Sequence, residues 1–553
     1  TTEIYTLSLH DALPIYLNST LSISQALTID GSGHAVTLSG DSANDGTRNV
    51  QVFNIAAGSA VTLSHLSIVS GTATHGGGIY NYGDLTVLNS IIADNVTSTD
   101  GGGIFNRGTL VVRNSTLANN ASTYGGGINS SNPTTLYNCT LIGNTGIAGE
   151  GGGIRQYDGT LAYYNTLIAD SGTGGDCVVN SSSVIVANAY NLVEDGSCSA
   201  NGVGFMSGDP LLDPLANYGG ETLTYALLPG SPAIDAGDGC LSTDQRDIPR
   251  TQVEGCDIGA FESRGFTLTY GGGSDQSTPA NTAFGIPLTL TVSSSTGEPV
   301  DGGQVIFTGS SSGAGLSSSP LTATISGGIV SQSVTANATL GSHAVTATTR
   351  GALNSVSYSL ANTAMEIAVI GNGQVIDDGD PSPSTTDHTD FGSVPLGQVL
   401  TRTFTISNSG NEGLNLTGSP VVSLTGAGAD AFSVVAQPAT PVDAGLSTTF
   451  QVRFIPAVAG TQVATITIAN DDADEAPYDF AIQGTGIVNQ APVANAGNDQ
   501  DVSVGTVIPL DGSASTDPDG HVPLSYGWTQ TGGPAVTLSN ATAVSPTFTT
   551  PGT

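Results

Sequence analysis

Gly76-Gly-Gly-Ile79, Gly101-Gly-Gly-Ile104, Gly125-Gly-Gly-Ile128 and Gly151-Gly-Gly-Ile154 are four copies of one tetrapeptide, set 25, 24 and 26 residues apart. Thirteen or fourteen residues after each first glycine stands an asparagine followed by a small residue: Asn89-Ser90, Asn114-Ser115, Asn138-Cys139 and Asn165-Thr166. A period of that length marks an architecture of stacked repeats.

Aligned on the asparagines, the copies share apolar columns. Four residues before stand Leu85, Leu110, Thr134 and Leu161, and two before stand Val87, Val112, Leu136 and Tyr163. They alternate with Thr86, Val111, Thr135 and Ala162 and with Leu88, Arg113, Tyr137 and Tyr164, the period of two that a strand requires. One such strand cannot bury its apolar face alone, whereas coils stacked about 4.8 Å apart bury every copy in one continuous core. The columns also exclude a flexible glycine linker, which has no phased Leu and Val. The glycines supply positive φ at a tight corner and let backbones approach. Asn89, Asn114, Asn138 and Asn165 are expected to form an inward ladder, their amides bonded to one another along the axis.

Composition narrows the function. The 46 acidic residues face only 10 basic ones, all arginine, and a net charge of -36 repels phosphate backbones, so nucleic acid is not an expected partner. No apolar run approaches the length of a membrane span. Of the five cysteines, Cys139 fills the repeat slot held elsewhere by Ser90, Ser115 and Thr166 and is expected to stay unpaired. Bridges Cys177 to Cys198 and Cys240 to Cys256 would close the two least regular loops and suit an oxidising exterior.

Further on come Gly208-Asp-Pro-Leu-Leu-Asp-Pro-Leu215, Asn217-Tyr-Gly-Gly220, Pro229-Gly-Ser-Pro-Ala-Ile-Asp-Ala-Gly237, Asp244-Gln-Arg246 and Cys256-Asp-Ile-Gly-Ala-Phe-Glu262. With the glycine repeats these resemble a choice-of-anchor Q domain, within the right-handed parallel β-helices of the pectate-lyase-like superfamily, and the repeats of polymorphic outer-membrane proteins. The resemblance implies a bacterial surface or secreted protein whose β-helix spans 16–264. Residues 1–15 resemble translated sequencing-adapter sequence, so an export signal is expected to be missing. Residues 265–362, with Leu288-Thr-Leu-Thr-Val292 and Gln304-Val-Ile-Phe307, resemble a bacterial Ig-like sandwich. Residues 365–487 carry Thr403-Phe-Thr-Ile-Ser-Asn-Ser-Gly410 and Phe450-Gln-Val-Arg-Phe-Ile-Pro456 and resemble a choice-of-anchor D domain. Residues 490–553, with Leu510-Asp-Gly-Ser-Ala-Ser-Thr-Asp-Pro-Asp-Gly520 and Trp528, resemble an incomplete polycystic-kidney-disease (PKD) type domain; the anchor is expected beyond it.

Candidate chemistry is thin. The column His75, Asp100, Tyr124 and Glu150 precedes the glycine triplets. Its carboxylates Asp100 and Glu150 stand two coils, roughly 10 Å, apart, at or past the ~6.5–9.5 Å of an inverting pair. Asp94 and Asp170, three coils apart, are farther still. Gly309-Ser-Ser-Ser-Gly313 matches a hydrolase pattern but lies in a turn with no helix after it. Asp517 and Asp519, with Asp377, Asp378 and Asp380, offer oxygen ligands that would suit Ca2+, although Asp also simply favours turns. Arg113, Tyr137 and Tyr164 share one outward column that could hold a sugar ring.

The expectation is an all-β chain: a right-handed parallel β-helix followed by three Ig-like β-sandwich modules, the last truncated. In function it is expected to be a secreted or cell-surface modular protein, adhesin-like or structural, meeting an extracellular glycan or a surface protein. The competing reading is a carbohydrate-active enzyme, a polysaccharide lyase or glycoside hydrolase, with its site on the β-helix.

Overall fold

The computed structural model describes residues 14–250, 254–473, 475–520 and 522–552. The adapter-like stretch therefore lies almost wholly outside the described residues, but its last member, Ile15, pairs with Leu38 in the first strand of the fold. Among the described residues the regular structure is β throughout, apart from two single 3-10 turns at Gly172–Gly174 and Ala429–Ala431. The chain forms two compact units that divide between Asn362 and Thr363.

The first unit begins as a parallel β-helix of three sheets. Strands Leu27–Asp30, Ala60–Ser64, Asp84–Leu88, Thr109–Arg113, Thr134–Tyr137, Gly159–Tyr164 and Ser183–Ala189 stack in one sheet, in register except for a shift between Leu161 and Ala162 at the last pair, and we call it the alternating sheet. Leu85 lies beside Leu110, and Leu136 beside Tyr163, as the alignment on asparagine predicts. These columns are fully buried and make the interior core. A second sheet, led by the glycine triplets, contains Ile79–Asn81, Ile104–Asn106, Ile128–Ser130 and Ile154–Gln156. Gly101 takes φ +57°, and a Cβ on Gly102 or Gly103 would come within 2.5 or 2.6 Å of a carbonyl oxygen of the next coil, so the triplet cannot carry side chains. The third sheet contains Leu66–Val69, Ile91–Ala93, Thr116–Ala118, Thr140–Ile142 and Leu167–Ala169.

The asparagine ladder needs correcting. Asn89, Asn114, Asn138 and Asn165 occupy the left-handed region, with φ of 44°, 43°, 50° and 47°, and their side chains bond groups outside the coil. Their common feature is a sharp corner, which asparagine tolerates better than other side chains. The residue after each asparagine is the one that turns in, and Ser90, Ser115, Cys139 and Thr166 are all completely buried. The true amide ladder stands six residues on. Asn95 Nδ2 donates to Asn120 Oδ1 at 2.9 Å, and Asn120 Nδ2 to Asn144 Oδ1 at 2.9 Å, with all three residues fully buried. A second ladder of the same length runs from Asn81 to Asn106 to Ser130.

Residues 209–250 and 254–262 lie over the third sheet and cover it. Tyr225, Leu227, Ile234, Ile258 and Phe261 pack on Ile91, Ala118, Ile142, Leu167 and Ala169, making a second core outside the coils. Within this cover, residues 238–247 run backwards across the asparagine corners. Asp238 bonds Asn165, Leu241 bonds Asn138, Thr243 bonds Asn114, and Asp247 bonds Asn89 and His65. A buried ionic knot holds this strap: Asp244 accepts from Arg246 at 2.6 Å and Glu262 accepts from Arg250 at 3.2 Å. Asp257, beside Glu262, is pushed well above the usual carboxylate range by burial and by that neighbouring charge.

Both expected disulfides are present, with Cα separations of 5.8 Å for Cys177–Cys198 and 6.4 Å for Cys240–Cys256. Cys139 is free and buried, and burial raises its thiol to about 12. It should therefore resist alkylation by iodoacetamide at pH 8 in the folded protein and react fully in denaturant, because the thiolate is the nucleophile. Mass spectrometry before and after unfolding tests this, and native labelling at Cys139 would contradict the buried placement.

The coils lead into a β-sandwich that completes the first unit. A three-stranded sheet of Thr267–Gly272, Leu288–Ser293 and Ile329–Gln332 faces a five-stranded one. Its core, with Phe266, Leu290, Phe307 and Tyr358, is continuous with the outer core of the β-helix. Arg264 pairs with Glu298 across the junction at 2.8 Å. In the second unit a five-stranded and a four-stranded sheet enclose Phe404, Phe450, Phe454, Ile466 and Phe480. Beyond residue 490 the paired strands among the described residues are Val507–Pro509 and Thr547–Thr549. Trp528 there is half-buried and donates its indole N–H to the carbonyl of Ala543 at 2.9 Å.

Candidate functional site

With its third sheet covered, the β-helix presents two outer faces. On the alternating sheet, register brings Leu88, Arg113, Tyr137 and Tyr164 side by side. The rings of Tyr137 and Tyr164 stack 4.9 Å apart at 6°, and the Arg113 guanidinium lies 5.0 Å from the Tyr137 centroid. This column, expected from sequence, is therefore assembled as one aromatic and cationic strip, and Arg113 is exposed.

The corner column also forms. Asp100 pairs with His75 on one side and Tyr124 on the other, and Gly125 N donates to Glu150 O. Each carboxylate is engaged by its own partners. Asp100 Oδ2 is 2.9 Å from His75 Nδ1, and its Oδ1 accepts from Asn129 Nδ2 at 2.6 Å. Glu150 Oε2 lies 2.8 Å from Arg155 Nε, a charge contact without the alignment of a hydrogen bond. The two acids are thus tied to different side chains, His75 and Arg155.

Sequence reasoning missed the residues beside this column. Tyr80, Phe105, Asn129 and Arg155 each follow directly on Gly-Gly-Gly-Ile, and register aligns them on the outside of the glycine-led sheet. Tyr80 packs on Phe105 at 5.2 Å and on Tyr82 at 4.5 Å, with the two tyrosine hydroxyls bonded. His75 stacks on Phe105 at 5.2 Å, and Arg107 lies over the same ring at 5.3 Å. At the far end Arg155 sits between Tyr124 at 4.7 Å and Tyr157 at 4.8 Å. Burial and the Tyr82 contact raise Tyr80 to about 12, so its hydroxyl stays neutral.

No three of the Ca2+ candidates converge among the described residues. Asp519 accepts from the backbone of Gln490, and Asp517 Oδ1 accepts from Asp519 N at 2.8 Å, the hydrogen bonds of an acidic turn. Asp378 and Asp380 likewise accept from Asp479 N and Ser382 N. The acidic group whose oxygens do converge among the described residues is Glu366, Asp472 and Glu475, within 4.8 Å of one another, and Asp472 accepts from Ile367 N at 2.9 Å.

Residues 384–485 match the family described as HYDIN/CFA65/VesB-like, Ig-like domain, and residues 496–553 match a family of PKD domains. The narrower choice-of-anchor Q and D assignments have no such match. No curated protein matches the chain. Among solved structures, the Escherichia coli adhesin FdeC is similar at 16% identity, covering 52% of this chain and 88% of that one, with a TM-score of 0.25. A 282-residue C-terminal fragment of intimin, solved with the intimin-binding domain of its translocated receptor, is 17% identical over 40% of this chain and 63% of that one, with a TM-score of 0.19. A Porphyromonas gingivalis W83 protein of unknown function is 15% identical over 39% of this chain and 99% of that one, with a TM-score of 0.16. No helix among the described residues is long and apolar enough to cross a membrane.

Proposed function

We propose that the chain is a modular, extracellular, adhesin-like protein that holds a glycan on the outer faces of its β-helix, with the sandwich modules as spacers. The observation that carries this is the Arg113–Tyr137–Tyr164 strip: two parallel rings and a guanidinium on a rigid sheet, with no interior role. The Tyr137 ring is covered by Tyr164 on one side and Arg113 on the other, so the aromatic face left to a sugar ring is the outer one of Tyr164, beside Ala189, which is already ordered and costs little entropy to bind. The Ig-like and PKD matches and the two disulfides support an export-type architecture. The enzyme reading needs Asp100 and Glu150 to share a substrate bond, whereas each is committed to a different partner.

A glycan panel scored for both retention and cleavage tests the proposal. Wild type is expected to retain at least one glycan without shortening it, and Tyr137→Ala/Tyr164→Ala to lose roughly 1–3 kcal/mol of affinity, about 5- to 150-fold. Cleavage that disappears in Asp100→Asn would replace the adhesin reading with the enzymatic one.

A further inference from the structure

We propose that the glycine-led face carries a second binding site, distinct from the Tyr137–Tyr164 strip, for a neutral oligosaccharide of about three rings. The site is the strip running from Tyr80 and Tyr82, past Phe105, Asp100 and Asn129, to the Arg155 clamp of Tyr124 and Tyr157. Its length follows from the register. Tyr80, Phe105, Asn129 and Arg155 occupy successive coils, so three steps of about 4.8 Å separate its ends, roughly 14 Å.

The chemistry changes along the strip. Each end is aromatic, and the outermost rings, Tyr82 and Tyr157, are 39% and 49% exposed. Neither ring belongs to the interior core, so both are available to stack on a sugar. The middle is made of acceptors. Asp100 Oδ2 lies 2.9 Å from His75 Nδ1, and the side-chain oxygen of Asn129 has no hydrogen-bond partner although the residue is only 1% exposed. A buried amide oxygen left unmatched is costly, and a ligand hydroxyl is the donor that satisfies it. The register neighbours of Asn129 are Phe105 and Arg155. Phe105 is buried, whereas Arg155 is a long side chain held to Glu150 by a misaligned contact, so Arg155 is the one that yields to a ligand.

Charge selects the class of sugar. A chain of net charge -36 repels a uronate or sulfated sugar, and the oxygens of Asp100, Asn129 and Glu150 accept from the hydroxyl donors of a neutral one. Within the strip Arg107 and Arg155 formally balance Asp100 and Glu150, so the discrimination against an anionic sugar comes from the net charge of the whole chain.

The test uses the full chain and titration calorimetry with neutral β-linked gluco-, xylo- and manno-oligosaccharides of two to six rings, with oligogalacturonate as the anionic comparison. At least one neutral series should bind, its affinity rising up to about three rings and then levelling. Tyr82→Ala/Tyr157→Ala, exposed positions whose loss spares the core, should weaken that binding at least about tenfold. Asn129→Leu should weaken it about 3- to 10-fold, the value of one hydrogen bond. Tyr137→Ala/Tyr164→Ala should leave it unchanged. The inference is overturned if no neutral series binds, if oligogalacturonate binds more tightly, or if binding survives in Tyr82→Ala/Tyr157→Ala. Binding lost only in Tyr137→Ala/Tyr164→Ala would overturn it too, while leaving the first site standing.

Discussion

Asp244→Ala is expected to destabilise the first unit by about 3–5 kcal/mol, the cost of removing one partner from a buried ion pair. Asp244 is fully buried and accepts five hydrogen bonds: from the Arg246 backbone, Nε and Nη2, and from the backbone N–H groups of Ile248 and Glu262. Without it the Arg246 guanidinium keeps its place 3.6 Å from the Phe261 ring centroid but has lost its counter-charge. The strap that crosses the asparagine corners should then loosen before the coils do. Thermal unfolding and limited proteolysis across residues 238–262 check this. A variant that melts within about 2 °C of wild type, well inside the shift that such a loss implies, would show that the ionic knot does not hold the strap.

Asn120→Leu should be the most damaging change in the coils. Its Oδ1 accepts from Asn95 N and Nδ2, and its Nδ2 donates to Ile92 O and Asn144 Oδ1. Leucine satisfies none of these, and each buried group left unmatched costs about 1–3 kcal/mol. Asn114→Leu should cost less and act elsewhere, because Asn114 serves Thr243 O and Arg250 Nη2 in the strap. Hydrogen exchange separates the two. Asn120→Leu should lose protection around Asn95 and Asn144, whereas Asn114→Leu should lose it in residues 238–250. The opposite pattern would restore the inward ladder of Asn114 that the repeats suggest.

The coils were legible because one physical constraint recurs in every copy. Leu85, Leu110 and Leu161 stand at one depth in the interior, so aligning the sequence on asparagine also aligns the strands in register. The asparagines themselves misled, because the residue suits both a left-handed corner and an amide ladder, and only the contacts of its side chain tell which. The real ladder carried a signal in the same spacing: Asn95, Asn120 and Asn144 follow Asp94, Asn119 and Gly143, which take φ of 57°, 54° and 66° at the second corner. Tyr80, Phe105, Asn129 and Arg155 were equally open to view as the residue after each tetrapeptide, but four different side chains do not look like a column. The strap could not be read locally. Its bonds join residues 73 to 182 positions apart, and nothing in Asp238-Gly-Cys-Leu-Ser names the coils that it meets.

The strap also changes how the β-helix can come apart. A solenoid in which each repeat touches only its neighbours frays from its ends, one coil at a time, and tolerates partial unfolding. Here a single segment is bonded to the coils of Asn165, Asn138, Asn114 and Asn89 at once, so no end coil between them can peel away without also breaking the strap. The stack is thereby converted from a nearest-neighbour chain into one cooperative block whose coils open together or not at all.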